Sequence, residues 1–344
     1  MRVVSQIVTG SKGQGAATPP ERVGSSVGRR GFLASVAAAA VVAGAPGAAR
    51  ANAPIQVVAT TGMIADAARV VGGDRVAVRA LMGPGVDPHA YRQTRSDIAA
   101  MTRADLVLAH GLYLEAQMEE FLMQLGRRKP VRFAAEGSPD AFRIAHDDYA
   151  DRLDPHIWMA PQLWSDAVAA VADALVAARP EEEALFAANL AAYREELVAL
   201  DGYARTVLAS PPEDARVLVT AHDAFNYFGW AYGYEVLGVQ GISTESEAGL
   251  ARIGALVDTL VERRVRAVFV ETSVSDRNLR ALVEGAAARG WTVEIGGELY
   301  SDAMGPDGTY EGAYLGMIDH NVTTIARALG GDAPERGRLG RLAV

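Results

Sequence analysis

Short apolar runs alternate with longer stretches of helical spacing along most of the chain. Each run is four to six residues long and is bounded by glycine, proline or polar residues, which is typical of a buried strand. The stretches between the runs place apolar residues every three or four positions, which predicts amphipathic helices. The predicted strands are 55–60, 76–81, 106–109 and 131–134 in the first half and 217–220, 235–239, 267–270 and 292–295 in the second.

Helices are predicted between these strands, an alternation that is typical of parallel α/β sheets. Ser96 is the predicted N-cap of the second helix, and Pro161 suits the first turn of the fourth. The predicted helices are 64–71, 96–103, 114–125, 161–178, 224–232, 247–263, 277–289 and 310–329.

The longest helical pattern runs from Glu181 to Ala209 and separates the two sets of strands. At the usual rise it would be roughly 43 Å long, and Pro211 and Pro212 end it. We therefore predict an α/β protein with two lobes, each a four-stranded parallel sheet flanked by helices, joined by one long rigid helix. A coiled-coil dimer is the alternative, which Gly202 and the short repeat disfavour. The apolar stripe of this helix is Phe186, Leu190, Tyr193, Leu197, Leu200, Ala204 and Val207.

The N-terminal segment has the features of an export signal. Arg29 and Arg30 form a twin-arginine pattern before an Ala-rich run, and small residues allow cleavage after Ala51. A membrane anchor is the alternative, but the run is short and is interrupted by glycine and proline. Removal of residues 1–51, with six basic residues and one acidic residue, changes the formal net charge from −9 to −14. Such a surface repels nucleic acid and attracts cations, or simply keeps the protein soluble.

Imidazole and carboxylate groups follow several predicted strands. His89 and His156 each end an Asp-Pro-His tripeptide, His222 follows the strand 217–220, and Asp302 follows the last strand. Parallel sheets present ligand crevices at the carboxyl ends of their strands, so these groups can meet. Nitrogen and oxygen donors suit Zn²⁺ and Mn²⁺, and the chain has no cysteine to offer. The sequence predicts one metal ion held by residues that are distant in the chain.

Two further histidines are weaker candidates. His110 also follows a strand and is the rival ligand, although a structural role beside the site is favoured. His146 lies in an acidic segment that is more typical of a solvated loop than of a metal trap.

The motifs together resemble the zinc/manganese solute-binding proteins of ABC importers, the TroA-like family. The similarity covers about residues 54–330, and it adds the segment 241–249 to the motifs above. It implies a metal held between two lobes by His89, His156, His222 and Asp302, little domain movement, and delivery of the metal to membrane permease subunits. The expected organisation is a signal peptide at 1–51, metal-binding lobes at 52–180 and 211–331, a linking helix at 181–210 and a mobile tail at 332–344.

The resemblance leaves the metal open. Three imidazoles with one carboxylate favour Zn²⁺, whereas the lack of a His-rich loop departs from many zinc members. The lack of cysteine predicts free diffusion in a periplasm without a lipid anchor. The protein is expected to be a monomer. A zinc hydrolase would keep an open coordination position, which four protein ligands disfavour. A surface adhesin with the same fold is the other alternative.

Overall fold

The computed structural model describes residues 53–139, 142–145, 152–246 and 248–343. The predicted signal peptide, with Arg29 and Arg30, and His146 in the acidic segment lie outside the described residues. Within the described ranges, no helix combines the length and the apolar character needed to cross a membrane.

The first sheet has four parallel strands in the order β2-β1-β3-β4. The central strands β1 and β3 are almost wholly buried, which explains why the sequence shows them as continuous apolar runs. The strands are β1 (Ile55–Ala59), β2 (Val76–Ala80), β3 (Leu106–Ala109) and β4 (Val131–Phe133).

The second sheet repeats this arrangement, with the order β6-β5-β7-β8 and all strands parallel. The two sheets confirm the predicted fold class. Strand β5 extends to His222 itself, so this histidine ends the strand instead of following it. The strands are β5 (Val217–His222), β6 (Glu235–Gln240), β7 (Ala267–Glu271) and β8 (Glu294–Leu299).

Helices cover the faces of both sheets. The N-cap of α2 is Thr94 and not Ser96, because Thr94 and Asp97 form a capping box in which each side chain accepts from the other's backbone N–H. Helix α3 begins five residues later than predicted, since residues 112–118 form turns instead, in which the backbone N–H of Met118 donates to the carbonyl of Glu115. The helices are α1 (Gly62–Gly72), α2 (Arg95–Arg103), α3 (Glu119–Gly126), α4 (Pro161–Ala178), α5 (Glu183–Leu208), α6 (Asn226–Tyr232), α7 (Leu250–Glu262), α8 (Arg277–Ala288) and α9 (Tyr314–Ala328).

The long helix α5 follows a short 3-10 turn and contacts both lobes. Its predicted apolar stripe is buried, except for the partly buried Leu190. Near its start, the Asn189 side chain donates to the carbonyl of Val71 at 2.8 Å, at the end of α1. Farther along, Tyr203 and Thr323 of α9 share a hydroxyl hydrogen bond of 2.9 Å. The helix is therefore fixed to the first lobe at one end and to the second at the other.

The lobes share one apolar core, which packs around α5 and includes α1, α4 and α9. Trp164 of α4 stacks on Tyr314 of α9 with ring centroids 5.2 Å apart. The Trp158 indole donates to the carbonyl of Ser301 at 2.8 Å, and the Tyr314 hydroxyl donates to the carbonyl of Trp158 at 2.8 Å. Separation of the lobes at this point would expose these rings and break their buried hydrogen bonds.

The segment 332–343 differs from the mobile tail that was expected. The backbone N–H of Arg338 donates to both carboxylate oxygens of Asp319, at 2.9 and 3.0 Å. Leu342 is buried, and the N–H of Ala343 donates to Glu311 at 2.8 Å. The glycines and basic residues suggested a solvated chain, but backbone hydrogen bonds to buried carboxylates hold it in place.

Candidate metal centre

His89 lies in the loop after β2 and is held by the aspartate two residues before it. Its backbone N–H donates to Asp87 Oδ1 at 2.8 Å, which turns the chain back on itself. The other oxygen of Asp87 accepts from the Thr244 hydroxyl at 2.5 Å, across the boundary between the lobes. Gly85 supplies a positive φ of 70° in the same loop. His89 is only 2% exposed.

His156 repeats this local arrangement in the second Asp-Pro-His tripeptide. Asp154 Oδ1 accepts both the backbone N–H of His156, at 2.9 Å, and its ring Nδ1–H, at 2.7 Å. Asp154 Oδ2 accepts from the Asn226 amide at 3.0 Å, again from the second lobe. Because the ring donates its Nδ1–H to this carboxylate in a hydrogen bond, its Nε2 faces the centre of the site.

His222 is oriented by a carboxylate from the neighbouring strand. Glu271, the last residue of β7, accepts the backbone N–H of His222 at 2.9 Å and its Nδ1–H at 2.6 Å. Both residues are almost fully buried. The paired ends of two parallel strands thus fix the tautomer of His222 and turn its Nε2 toward the other lobe.

Asp302 follows β8 and completes a compact cluster. One ligand atom from each of His89, His156, His222 and Asp302 can be chosen so that all lie within 4.8 Å of one another. The Nε2 atoms of His89 and His156 are 3.3 Å apart. Asp302 oxygens lie 3.1 Å from His222 Nε2 and 3.4 Å from His156 Nε2. Four donors about 2.0–2.1 Å from a tetrahedral ion would be separated by about 3.3–3.4 Å, so this spacing suits a transition-metal ion.

The cluster contains polar atoms that could bind a cation. Within the described ranges, His222 Nε2 and both Asp302 oxygens are buried and make no well-formed hydrogen bond, although Asp302 lies 3.1 Å from His222 Nε2 and 3.4 Å from His156 Nε2. Charged imidazoles balance the carboxylate without a metal, and a bound ion would take over that role. The donor set is therefore one that could hold Zn²⁺ or Mn²⁺.

Charge and burial act in opposite directions on the pKa values of this cluster. Burial alone would lower the pKa of His156, but the Asp154 carboxylate outweighs it and raises that pKa to about 9. For His222, burial is likewise outweighed by Asp302 and Glu271, which hold its pKa well above the usual value. Burial dominates at His89 and lowers its pKa to about 3. The charges of His222 and His156 overcome burial to hold the pKa of Asp302 well below its usual range.

His110, the rival ligand, is not part of the cluster. Its Nε2–H donates to the carbonyl of Pro155 at 2.7 Å, and its ring packs edge-on against Trp158. Burial lowers its pKa to about 3. It supports the peptide bond that precedes His156, a structural role beside the site.

Sequence reasoning missed Glu271 as a partner of the site. The sequence did contain a signal for Glu271, because this carboxylate comes at the end of a strand-like apolar run. His222 and Asp302 occupy similar positions in their own segments. The pairing itself depends on β5 and β7 being neighbours, which no local pattern specifies.

A cavity of about 190 Å³ leads from the surface to His89. Residues of both lobes line it, among them Tyr113 and Arg152 on one side and Ile242 and Glu245 on the other. The Arg152 guanidinium lies 3.0 Å from the centre of the Tyr113 ring. Of the four clustered residues, His89 lines this cavity.

Comparison with known proteins shows extensive similarity. Residues 57–328 match the family described as ZnuA, zinc-uptake complex component A periplasmic. The chain is 48% identical over 275 residues to the manganese-binding lipoprotein MntA of Bacillus subtilis (strain 168), covering 80% of this chain and 90% of that protein. It is 44% identical over 273 residues to the zinc-binding protein TroA of Treponema pallidum (strain Nichols), covering 79% and 88%.

A solved structure supports the same relationship. The periplasmic zinc binding protein TroA from Treponema pallidum superposes with a TM-score of 0.78 at 43% identity, covering 80% of this chain and 99% of that chain. The resemblance drawn from the motifs is confirmed, and so is the two-lobed fold.

The prediction of a protein that diffuses freely in the periplasm without a lipid anchor is wrong. The relative MntA is named a lipoprotein, which implies a lipid anchor outside the cell. Attached acyl chains hold such proteins at a membrane surface by burying apolar surface in the bilayer. The prediction rests on the lack of cysteine in the chain, and that absence does not exclude retention at a membrane.

Proposed function

Because the chain belongs to the ZnuA family of metal-uptake proteins, we propose that His89, His156, His222 and Asp302 are the ligands of the metal it carries. The chain is the solute-binding component of an ABC importer, and it delivers a divalent transition metal to the permease subunits. It is not an enzyme, and neither the zinc hydrolase nor the adhesin reading is favoured.

One observation carries the ligand assignment. Three imidazole nitrogens and a carboxylate from four separate segments meet in a buried cluster, while hydrogen bonds elsewhere on the rings of His156 and His222 occupy their Nδ1 atoms. A metal cation at the centre of this donor set would balance the carboxylate and accept the nitrogen lone pairs.

Metal content tests this assignment. We expect one zinc or manganese ion per wild-type chain after loading and dialysis, and much less in His222→Ala. His320→Ala is the matched control, since His320 is a histidine of α9 whose Nε2 bonds the carbonyl of Glu298 and not the cluster. Undiminished metal content in His222→Ala would refute the assignment.

The proposed cargo is Zn²⁺ or Mn²⁺, with Zn²⁺ favoured. Three nitrogen donors suit the softer ion, and affinity at such sites generally rises from manganese to zinc. The relatives do not decide the matter, since one is named manganese-binding and the other zinc-binding. A competition titration of the wild-type protein with both ions tests the preference, and equal affinity would remove it.

We also propose export by the twin-arginine route, with cleavage after Ala51. The support is the Arg29-Arg30 pair before an Ala-rich run. Replacing both arginines with lysine is expected to retain the precursor in the cytoplasm, whereas normal export would exclude this route. The mature lobes are proposed as 52–180 and 211–331 around the linking helix 181–210. The protein is proposed to be a monomer that has no nucleic-acid partner. Light scattering can measure its oligomeric state.

A further inference from the structure

Residues 241–246, the first part of the loop between β6 and α7, are joined to the metal centre by a hydrogen bond of Thr244. On one side, Ile242 and Ser243 line the cavity that leads to His89. On the other side, Thr244 lines a second cavity of about 540 Å³. Because cavities lie on both sides of this loop, few packing contacts fix Thr244, and its position depends on its hydrogen bonds.

The contact of Thr244 reaches a proposed ligand through one intervening group. The Thr244 hydroxyl donates to Asp87 Oδ2 at 2.5 Å, and Asp87 Oδ1 accepts the backbone N–H of His89 at 2.8 Å. A hydroxyl that donates to a carboxylate at this distance makes a strong, charge-assisted hydrogen bond. The second lobe thereby fixes the carboxylate that orients His89 in the first lobe.

The same connection occurs a second time. The Asn226 amide donates to Asp154 Oδ2 at 3.0 Å, and Asp154 Oδ1 holds both the backbone and the ring of His156. In each Asp-Pro-His tripeptide, one carboxylate oxygen therefore accepts hydrogen bonds from the histidine, and the other accepts one from a residue of the opposite lobe. Two independent occurrences in one site argue against a chance surface contact.

We propose that Thr244 and Asn226 are positioning residues that couple the closed arrangement of the two lobes to retention of the metal. Neither residue is in the proposed ligand set, and the inference rests on the proposed function of that set. When the lobes move apart, both carboxylates lose a donor, and His89 and His156 lose part of their support. Metal release would then follow a small displacement of the second lobe, which a permease could cause without bending α5.

The decisive variant is Thr244→Val, which removes the hydroxyl and keeps the shape. We expect the dissociation rate of the metal, measured with a chelator in excess, to rise by about tenfold, because partners of this kind affect metal affinity about 10- to 100-fold. Thr244→Ser retains the hydroxyl and should restore slow release. Thr259→Val is the matched control, since its hydroxyl only bonds the carbonyl of Ala255 on α7. Asn226→Ala should accelerate release independently of Thr244.

Thermal unfolding of the metal-free proteins separates positioning from folding. The proposal expects metal-free Thr244→Val to remain folded at the temperature of the release assay, with faster release in this variant and rescue by serine. It is overturned if Thr244→Val releases metal at the wild-type rate, or if serine fails to rescue a faster release. Absence of metal binding in the wild type would instead refute the proposed function, so the two failures are distinguishable.

Discussion

At the residue scale, the least expected member of the site is Glu271, which accepts two hydrogen bonds from His222. Its two oxygens bond the backbone N–H and the ring Nδ1–H of that residue, at 2.9 and 2.6 Å. A glutamine has only one acceptor oxygen, so in Glu271→Gln one of these donors would face an NH₂ group.

We predict that Glu271→Gln weakens metal affinity by about 10- to 100-fold, because the imidazole loses its fixed tautomer and orientation. Titration with a competing fluorescent chelator would measure the change. Glu294→Gln is the matched control, an exposed glutamate on β8. Equal affinity in Glu271→Gln and the wild type would contradict the role given to this carboxylate.

The ionisation of the histidines predicts a pH dependence. Without metal, Asp154 raises the pKa of His156 to about 9 and the pKa of His222 is also raised, so both rings carry a proton at pH 7. His89, with a pKa lowered to about 3, carries none. Metal binding must displace the protons on the two charged rings.

We therefore predict that metal binding releases protons at pH 7. Affinity should rise with pH and level off as the pH passes the pKa of His156, because less protonated imidazole then competes with the metal. Calorimetry in buffers of different ionisation enthalpy counts the protons directly. Release of none, or affinity that falls with rising pH, would contradict the assignment of charges.

At the element scale, α5 is the connection between the lobes, and Gly202 is its weakest position. A Cβ built at Gly202 has no atom within 4 Å among the described residues. Alanine at an unobstructed helix position costs less backbone entropy than glycine. We predict that Gly202→Ala stabilises the protein by roughly 0.5–1 kcal/mol in a denaturant titration.

Gly285 of α8 offers the opposite case. A Cβ there would meet a methyl group of Val257 at 2.8 Å, so Gly285→Ala should destabilise where Gly202→Ala stabilises. A loss of stability in Gly202→Ala would mean that α5 needs flexibility at this position, which would contradict its role as a rigid connection.

The strands were predictable because buried parallel strands are continuous apolar runs, and β3 agrees to the residue. The last strand was the exception, since it was predicted at 292–295 and lies at Glu294–Leu299. Gly296 and Gly297 lie beyond the predicted end of this strand, but they belong to it. Side chains there would collide with Phe269 and with Thr324 of α9 at 2.8 and 2.5 Å. A glycine that permits close packing and one that forms a turn look the same in sequence.

At the scale of the whole molecule, the sequence predicted two lobes and the four side chains that meet between them. Two of the proposed ligands lie at strand ends, where parallel sheets collect functional groups: His222 ends β5, and Asp302 closely follows β8. The other two, His89 and His156, were marked by their Asp-Pro-His tripeptides. The common apolar core of the lobes, the pairing of His222 with Glu271 and the bonds from Thr244 and Asn226 depend on tertiary contacts. Those contacts join segments far apart in the chain and leave no local pattern.

The central claim is that one metal ion binds between the lobes to three imidazoles and one carboxylate. Anomalous diffraction from crystals loaded with zinc, recorded on both sides of the zinc absorption edge, would test it most directly. We predict a single strong peak about 2.0–2.2 Å from Nε2 of His89, His156 and His222 and from an oxygen of Asp302. A peak beside His110, or one that contacts fewer than three of the four residues, would contradict the account.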